Sequence, residues 1–179
     1  MPKLSELEAV VLGLIWQDGP CTPYAVRQVF LRTPSPQWSG SAGAIYPAVQ
    51  RLEHRGLIRS EAHAQGRRKS RRYHATPKGL GELRKWLKGS QTDWIVGVPP
   101  DPMRTRYRFL GLLPPAERRG ILRAWQKNMA RHTRAVEQDY EHRKKTGDAF
   151  SYLLARGALL HLHSRRTWLE EATRALKKG

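Results

Sequence analysis

The chain has 179 residues, and its 33 Lys and Arg against 15 Asp and Glu give a formal net charge of +18 at pH 7. This length favours one or two small domains and excludes a large multidomain enzyme. A charge surplus of this size creates a positive field that attracts polyanions. The single cysteine, Cys21, excludes an internal disulfide and indicates a reducing compartment, the cytoplasm. The apolar stretch Ala9–Trp16 is too short to span a bilayer, so no membrane association is expected.

The positive charge is spread along the chain rather than gathered in a tail. Residues 1–88 hold 15 Lys and Arg against 6 Asp and Glu, and residues 89–179 hold 18 against 9, a surplus of 9 in each part. Within the first part, Gly66–Arg72 places five cations in seven residues. Such a cluster is either a solvated loop or a nucleic-acid contact, and its neighbours in the fold decide which.

Capping signals predict two helices at the start of the chain. Ser5 and Glu8 fit a capping box, and the helix that follows continues to Gly19-Pro20. Thr22-Pro23 is a second start signal, an N-cap followed by proline at the first helical position. That second helix is predicted to end near Thr33-Pro34.

A third helix is predicted from about Ser41 to Arg55, with Gly56 as its C-terminal glycine. Pro47 is expected within its first two turns, because an interior proline removes a backbone hydrogen bond. One face is apolar and predicted to be buried, with Ile45, Val49 and Leu52. The opposite face carries Ser41, Ala42, Tyr46, Gln50, Arg51 and His54.

Two short strands are predicted next, at Leu57–His63 and Ser70–Ala75, joined by a turn at 65–69. Thr76-Pro77 then opens a fourth helix that reaches about Lys88. Helix, helix, helix, hairpin, helix is the order of a winged helix-turn-helix, which we assign to residues 1–88.

The second half of the chain predicts a helical domain. Prolines mark residues 89–101 as a linker, so the second domain takes residues 102–179. A short apolar helix over Tyr107–Leu113 is followed by long helices over about Pro115–Lys145 and Ala149–Lys177. The predicted fold class is therefore mainly α, an N-terminal winged helix-turn-helix with a two-stranded wing and a C-terminal long-helix dimerisation domain.

Apolar residues along the two long helices predict a partner chain. In the first of them, a 3-4-3-4 spacing typical of a coiled-coil seam is formed by Leu122, Trp125, Met129, His132 and Val136. Two helices in so small a domain cannot bury all of their apolar stripes, and a second copy of the chain is the simplest partner to bury the remaining apolar residues. We therefore expect a homodimer held by Leu122, Trp125, Met129, Val136, Leu153, Leu160 and Trp168.

In a helix-turn-helix the second helix enters the major groove, and in a winged form the hairpin reaches the backbone or the minor groove. Gln50 and Arg51 have long hydrogen-bonding side chains that can read base edges, whereas Ser41 and Tyr46 suit phosphate oxygens. The segment Ser41–Gly43 adds the backbone N–H groups of a helix N-terminus. The tip of the wing supplies the cations Arg67, Arg68 and Lys69.

The stretch Trp38–Glu53, followed by Gly56-Leu57-Ile58, resembles the PadR family of transcriptional regulators. The resemblance rests on the serine and glycine run, the aliphatic-Tyr-Pro and the Arg-Leu-Glu of this stretch, and it covers roughly residues 5–88. The wing fits as well, with Tyr73, Thr76 and Gly79 after its basic turn. The chain departs from the family at Pro23, where many members have glycine, and at Arg71-Arg72, where apolar residues are usual.

The resemblance implies a dimer that binds a two-fold-related DNA operator, usually as a repressor and often released by a small effector. The C-terminal helices resemble those that form the intertwined dimer of the longer members. The residues expected at the DNA are Tyr24, Ser41, Ala42, Tyr46, Gln50, Arg51, Arg67, Arg68, Lys69 and Arg71. Tyr24 and Tyr46 could equally pack against neighbouring helices.

Other residues have competing interpretations. Trp125, His161 and Trp168 are candidates for an effector pocket, although tryptophans on helical faces more often belong to a core. His161 and His163 lie two residues apart on a helix and point to different faces, so no metal site is predicted. Cys21 fits a packing residue better than a redox sensor. The sequence has no phosphate-binding glycine loop, HExxH or serine-elbow pattern, so neither an enzyme nor a cofactor is expected.

The net charge also allows a non-specific nucleic-acid packaging or RNA-associated protein, and a winged domain can serve as a protein-interaction module. A regulator favours its site over random DNA by at least ~10³, whereas a packaging protein binds both alike. A steep salt dependence of DNA binding counts against the interaction module.

Overall fold

The structure is a computed structural model that describes residues 3–32, 42–65, 68–89 and 93–176. The chain divides into two compact units, residues 1–99 and 100–179, and the division falls inside the predicted linker. Within the described ranges, no helix combines the length and apolar character needed to cross a membrane.

The first unit has the predicted winged helix-turn-helix order. Its helices are α1 (Glu6–Asp18), α2 (Pro23–Arg32), α3 (Ala42–His54), α4 (Pro77–Lys88) and the short α5 (Asp93–Val96). Between α3 and α4 lies an antiparallel pair of strands, β1 (Ile58–Gln65) and β2 (Arg68–Ala75). Both strands are longer than predicted, because the ladder continues to the pair of Gln65 with Arg68.

Local capping explains where these helices begin and end. The Ser5 Oγ accepts from the Glu8 backbone N–H at 3.2 Å, and the Glu8 carboxylate accepts from the Ser5 N–H at 3.2 Å, so the predicted capping box is confirmed. After α3, Gly56 has a φ of +67°, the left-handed conformation expected of a C-terminal glycine. Pro47 lies inside α3 in its second turn, within the predicted window.

One apolar core joins the helices of the first unit to its wing. Its buried residues include Val11, Leu12, Ile15, Phe30, Ile45, Val49, Leu52, Leu57 and Leu83. Cys21 exchanges backbone hydrogen bonds with Tyr73 of β2, at 3.3 and 2.9 Å, which adds a one-residue bridge to the hairpin. Burial, together with the Asp18 charge, raises the pKa of the Cys21 thiol, so it stays protonated and acts as a packing group.

The second unit begins with a helix in a different place from the one predicted. The structure has α6 (Pro102–Tyr107) and a 3-10 turn at Leu110–Leu112, so the predicted continuous helix over Tyr107–Leu113 is wrong. The Asp101 carboxylate caps α6, because it accepts from the backbone N–H groups of Met103 at 2.9 Å and Arg104 at 3.3 Å. Asp101-Pro102 is thus the same start signal as Thr76-Pro77, and the sequence prediction overlooked it.

Asp101 also connects the start of the second unit to its last helix. Two long helices follow the 3-10 turn, α7 (Pro115–Thr146) and α8 (Ala149–Ala175). The Arg165 guanidinium of α8 donates to both Asp101 oxygens, at 2.8 and 2.7 Å. Burial alone would raise the pKa of Asp101, but the Arg165 hydrogen bonds and the two capping N–H groups outweigh burial and lower it.

The two long helices pack as an antiparallel pair whose seam differs in phase from the prediction. The buried residues of α7 are Leu122, Met129, Thr133 and Val136, whereas His132 is exposed. Gln126 donates to Thr173 of α8 at 3.2 Å, and Thr133 donates to the Met129 carbonyl at 2.9 Å. These bonds satisfy two polar side chains inside the seam. The seam residues are therefore spaced 4-3-4-3, at Leu122, Gln126, Met129, Thr133 and Val136, and the predicted seam position of His132 is wrong.

Candidate nucleic-acid interface

Helix α3 separates a buried apolar face from an exposed polar one. Ile45, Ala48, Val49 and Leu52 are each 2% exposed or less. On the other face Tyr46 is 41% exposed, and Gln50, Arg51 and His54 are exposed too. Burial of the first face fixes the rotation of α3, so Tyr46, Gln50 and Arg51, which are predicted to contact DNA, point outward.

A buried carboxylate of α1 holds the C-terminal half of that polar face. Glu8 is 6% exposed and accepts from Arg51 Nε at 2.7 Å and from an Arg55 terminal nitrogen at 3.2 Å. Burial by itself would raise the pKa of Glu8. The Arg51 and Ser5 hydrogen bonds and the charges of Arg51 and Arg55 outweigh burial, so the net pKa is lowered. Arg51 therefore has one nitrogen fixed by Glu8, while its side chain stays 53% exposed.

We expect Glu8→Gln to lower the stability of the protein at pH 7 by about 1–3 kcal/mol, because it removes the charge shared by two arginines. A carboxyl whose pKa is lowered by folding stabilises the protein above its ordinary pKa of 4.5 and loses that contribution as the pH falls. The difference in unfolding midpoint between wild type and Glu8→Gln should therefore narrow from pH 7 to pH 3.5.

Glu6→Gln is the control for this experiment, since Glu6 lies in the same first turn but is exposed. Its effect on the midpoint should be small at both pH values. A Glu8→Gln difference that stays constant across the pH range would show that the carboxylate charge is not what holds Arg51 and Arg55.

A second carboxylate, Glu53, connects α3 to both strands of the wing. It accepts from the Ser60 hydroxyl of β1 at 2.6 Å and from the Tyr73 hydroxyl of β2 at 3.3 Å. Burial, followed by the Glu53 charge, raises the pKa of Tyr73, so its hydroxyl remains a donor. Arg71 lies 3.8 Å from Glu53, but it is 69% exposed, so its guanidinium is also accessible from solvent.

The other residues predicted at the DNA lie on the wing, on α2 and at the start of α3. Arg68 and Lys69 belong to β2, opposite Gln65 and Ala64 of β1. Tyr24 of α2 is 59% exposed, and Ala42 is the first residue of α3. Ser41 and Arg67 lie outside the described residues. Because Tyr24 is exposed, its side chain is accessible to a phosphate, and this contact stays a prediction.

The polar end of α3 borders an open cleft of about 600 Å³. Its lining residues are Lys3, Glu8, Pro47, Gln50, Arg51, His54 and Arg55. Lys3 and Arg55 were not predicted as site residues. Arg55 could have been noticed one helical turn after Arg51, but the contact of either arginine with Glu8 spans more than 40 residues and leaves no local pattern.

Five of the seven residues predicted for the dimer fall into two groups in the second unit, while Trp125 and Trp168 are half-buried. Leu122, Met129 and Val136 are at most 7% exposed within the chain itself, so α8 and its neighbours already cover them. Leu153 and Leu160 are 54% and 50% exposed, on the outer side of α8. Only the second group is open to a partner chain.

The candidate effector residues also separate. Trp125 and Trp168 are half-buried against one apolar cluster, together with Met103, Leu110 and Leu169. Tyr107 packs edge-to-face on Trp168, with ring centroids 5.2 Å apart. His161 is exposed on α8. The tryptophans thus share a core cluster, as the alternative interpretation expects, and His161 lies on the surface.

Residues 11–85 match the model of the transcriptional regulator PadR-like family. A crystal structure of Bacillus subtilis PadR in complex with operator DNA is 23% identical, with a TM-score of 0.83 over 96% of this chain and 99% of that one. No curated protein sequence matches the chain.

Two further crystal structures have the same fold. Bacillus subtilis PadR in complex with p-coumaric acid is 21% identical, with a TM-score of 0.76 over 96% of this chain and 95% of that one. The Vibrio cholerae virulence activator AphA is 17% identical, with a TM-score of 0.68 over 97% and 99%. Residues 11–85 therefore match the PadR-like family, and the chain has the fold of these solved structures.

Proposed function

We propose that the protein is a homodimeric transcriptional repressor that binds a two-fold-related operator through α3 and the wing. The observation that carries this proposal is the outward polar face of α3, with Tyr46, Gln50 and Arg51 exposed beside a basic hairpin. A regulator of this kind acts on chromosomal DNA, which agrees with the cytoplasmic location expected from the sequence.

Base reading is assigned first to Gln50. Its side chain is exposed on α3 and can bond the adenine edge in the major groove. Arg51, next to it, already donates one nitrogen to Glu8. The remaining guanidinium nitrogens of Arg51 suit a phosphate or a guanine, so Arg51 adds affinity for DNA. Because Glu8 already holds this side chain, its position is fixed before DNA binds. The contacts with the DNA backbone come from Tyr24, Ser41, Ala42, Tyr46 and Arg71, and from the wing cations Arg67, Arg68 and Lys69.

The homodimer is supported by the exposed apolar residues of α8. Phe150 and Leu154 are 89% and 74% exposed, and they accompany the half-exposed Leu153 and Leu160. Clusters of exposed large apolar side chains are typical of interaction surfaces. A second copy of the chain, packed on this side of α8, would cover them and would set the two α3 helices as a symmetric pair.

We propose that DNA binding also responds to a small-molecule effector. The Bacillus subtilis PadR structure with p-coumaric acid shows that this fold accommodates an aromatic ligand in that protein. In this chain the candidate residues are Trp125, Trp168 and His161, of which the two tryptophans already share one apolar cluster. An effector there would need to displace or extend the packing of Tyr107 on Trp168.

Selection of bound sites from a randomised DNA pool, with the full-length protein, tests the function. We expect one two-fold symmetric motif, because each protomer of a symmetric dimer reads one half-site. Enrichment of an unsymmetric motif would contradict the symmetric dimer. Strong binding without any motif would instead support the non-specific packaging protein. Where a motif is selected, a repressor should lower transcription from a promoter that carries it.

A further inference from the structure

Five cations of α7 form one continuous stripe on an exposed side of the helix. They are spaced three or four residues apart, which keeps them on one face over about 22 Å at 1.5 Å per residue. We call them the basic stripe, and they are Arg119, Arg123, Lys127, Arg131 and Arg134, all exposed. The seam with Leu122 and Met129 lies on another side of α7, so packing against α8 does not explain the stripe.

No acidic side chain interrupts the basic stripe. Residues 118–136 contain six Lys and Arg and no Asp or Glu. Further along the same helix, by contrast, Arg143 pairs with Asp139 at 2.8 Å in the usual four-residue spacing. Across the part of the chain that the structure describes, none of the five stripe cations has an ion pair.

The basic stripe acts against the stability of its own helix. Like charges four residues apart on a helix repel, and three successive pairs in the stripe have this spacing. A single carboxylate between them would relieve the repulsion. Where a sequence breaks a local rule in this way without a compensating contact, a functional role is the usual reason.

We propose that the basic stripe binds the phosphate backbone of duplex DNA, in addition to the operator contacts of the winged domain. Duplex DNA carries one negative charge per about 1.7 Å of its axis, so phosphates are available along the whole length of the stripe. Arginine guanidinium groups bind phosphate oxygens with paired hydrogen bonds. The five stripe residues are all cations, so this contact would follow the backbone without reading sequence.

The inference rests on the proposed function, because the winged domain is what brings duplex DNA to the protein. The phosphates belong either to DNA that flanks the operator or to a second duplex, and the chemistry of the contact is the same in both cases. A second copy of this chain is disfavoured as the occupant, since every copy carries the same positive stripe and a net charge of +18.

The test compares two triple variants of the full chain. The stripe variant is Arg123→Gln/Lys127→Gln/Arg131→Gln, and the matched control is Arg108→Gln/Lys145→Gln/Arg174→Gln. All six residues are exposed in the second unit, and both variants lower the net charge by three. Affinity for a long mixed-sequence duplex is measured across a range of salt concentrations, with helix content checked by circular dichroism.

The stripe variant should reduce the slope of log affinity against log salt concentration by about 2–3, since each lost phosphate contact removes about 0.9. The control variant should change the slope by much less. A gain of affinity with duplex length that the stripe variant lacks would place the stripe on flanking DNA. Joining of two differently labelled duplexes that the stripe variant cannot perform would place it on a second duplex; either result supports the proposal.

Equal slopes for the two triple variants would overturn the proposal. So would a stripe variant that loses single-stranded RNA binding while its duplex binding stays normal. Failure of the proposed function is a separate outcome, because selection from the randomised DNA pool would then give no motif. A lowered salt slope with no motif would keep the stripe as a DNA contact and remove the operator-specific regulator.

Discussion

Gly79→Ala is expected to destabilise the winged helix-turn-helix by about 2–3 kcal/mol, because a methyl group at this position overlaps the backbone carbonyl oxygen of Leu57. That carbonyl cannot retreat freely, since it accepts from the Thr76 backbone N–H at 3.0 Å and from the Thr76 hydroxyl at 3.1 Å. Leu12 of the core is a further close neighbour of the new methyl group. Helix α4 would have to move away from the α3–β1 junction, which breaks these bonds.

Gly81→Ala is the matched control in the same helix. A methyl group at Gly81 has no atom within 4 Å among the described residues, so nothing obstructs it. Alanine is favoured over glycine inside a helix by about 0.5–1 kcal/mol, and Gly81→Ala should therefore raise stability. Urea unfolding of the full chain measures both variants. Equal shifts of the midpoint would show that the close approach of α4 to Leu57 is not a structural constraint.

Gln50→Ala is expected to weaken binding to the selected operator by about 1–3 kcal/mol, while binding to random duplex stays nearly unchanged. The reason is that Gln50 is exposed on α3 and carries both a donor and an acceptor for a base edge, whereas the backbone contacts come from other residues. Fluorescence anisotropy titrations with operator and random duplexes, at one salt concentration, give the two affinities side by side.

Arg51→Ala helps to interpret the Gln50 result. Arg51 contacts Glu8 and is expected to donate mainly to phosphate, so its loss should reduce affinity for both DNAs. If Gln50→Ala instead weakens both DNAs equally, Gln50 is a backbone contact. If only Arg51→Ala changes operator preference, the base-reading role belongs to Arg51.

Much of the fold was predictable because its signals are local. The capping box of Ser5 and Glu8, the Thr76-Pro77 start and the Gly56 stop each involve residues at most a few positions apart. The same is true of the apolar spacing that turns Ile45, Val49 and Leu52 inward. Where such a signal was overlooked, at Asp101-Pro102, the predicted helix was misplaced.

The winged helix-turn-helix, the polar face of α3 and the two long helices are predictable from the sequence, because each follows from hydrogen bonds and periodicity within a few turns of chain. The contacts of Glu8 with Arg51 and Arg55 emerge only when the chain is folded, since they join residues more than 40 positions apart. Folding also sets the phase of the α7 seam. Hydrogen bonds satisfy Gln126 and Thr133 there, so two polar residues stand where a hydropathy pattern expects apolar ones.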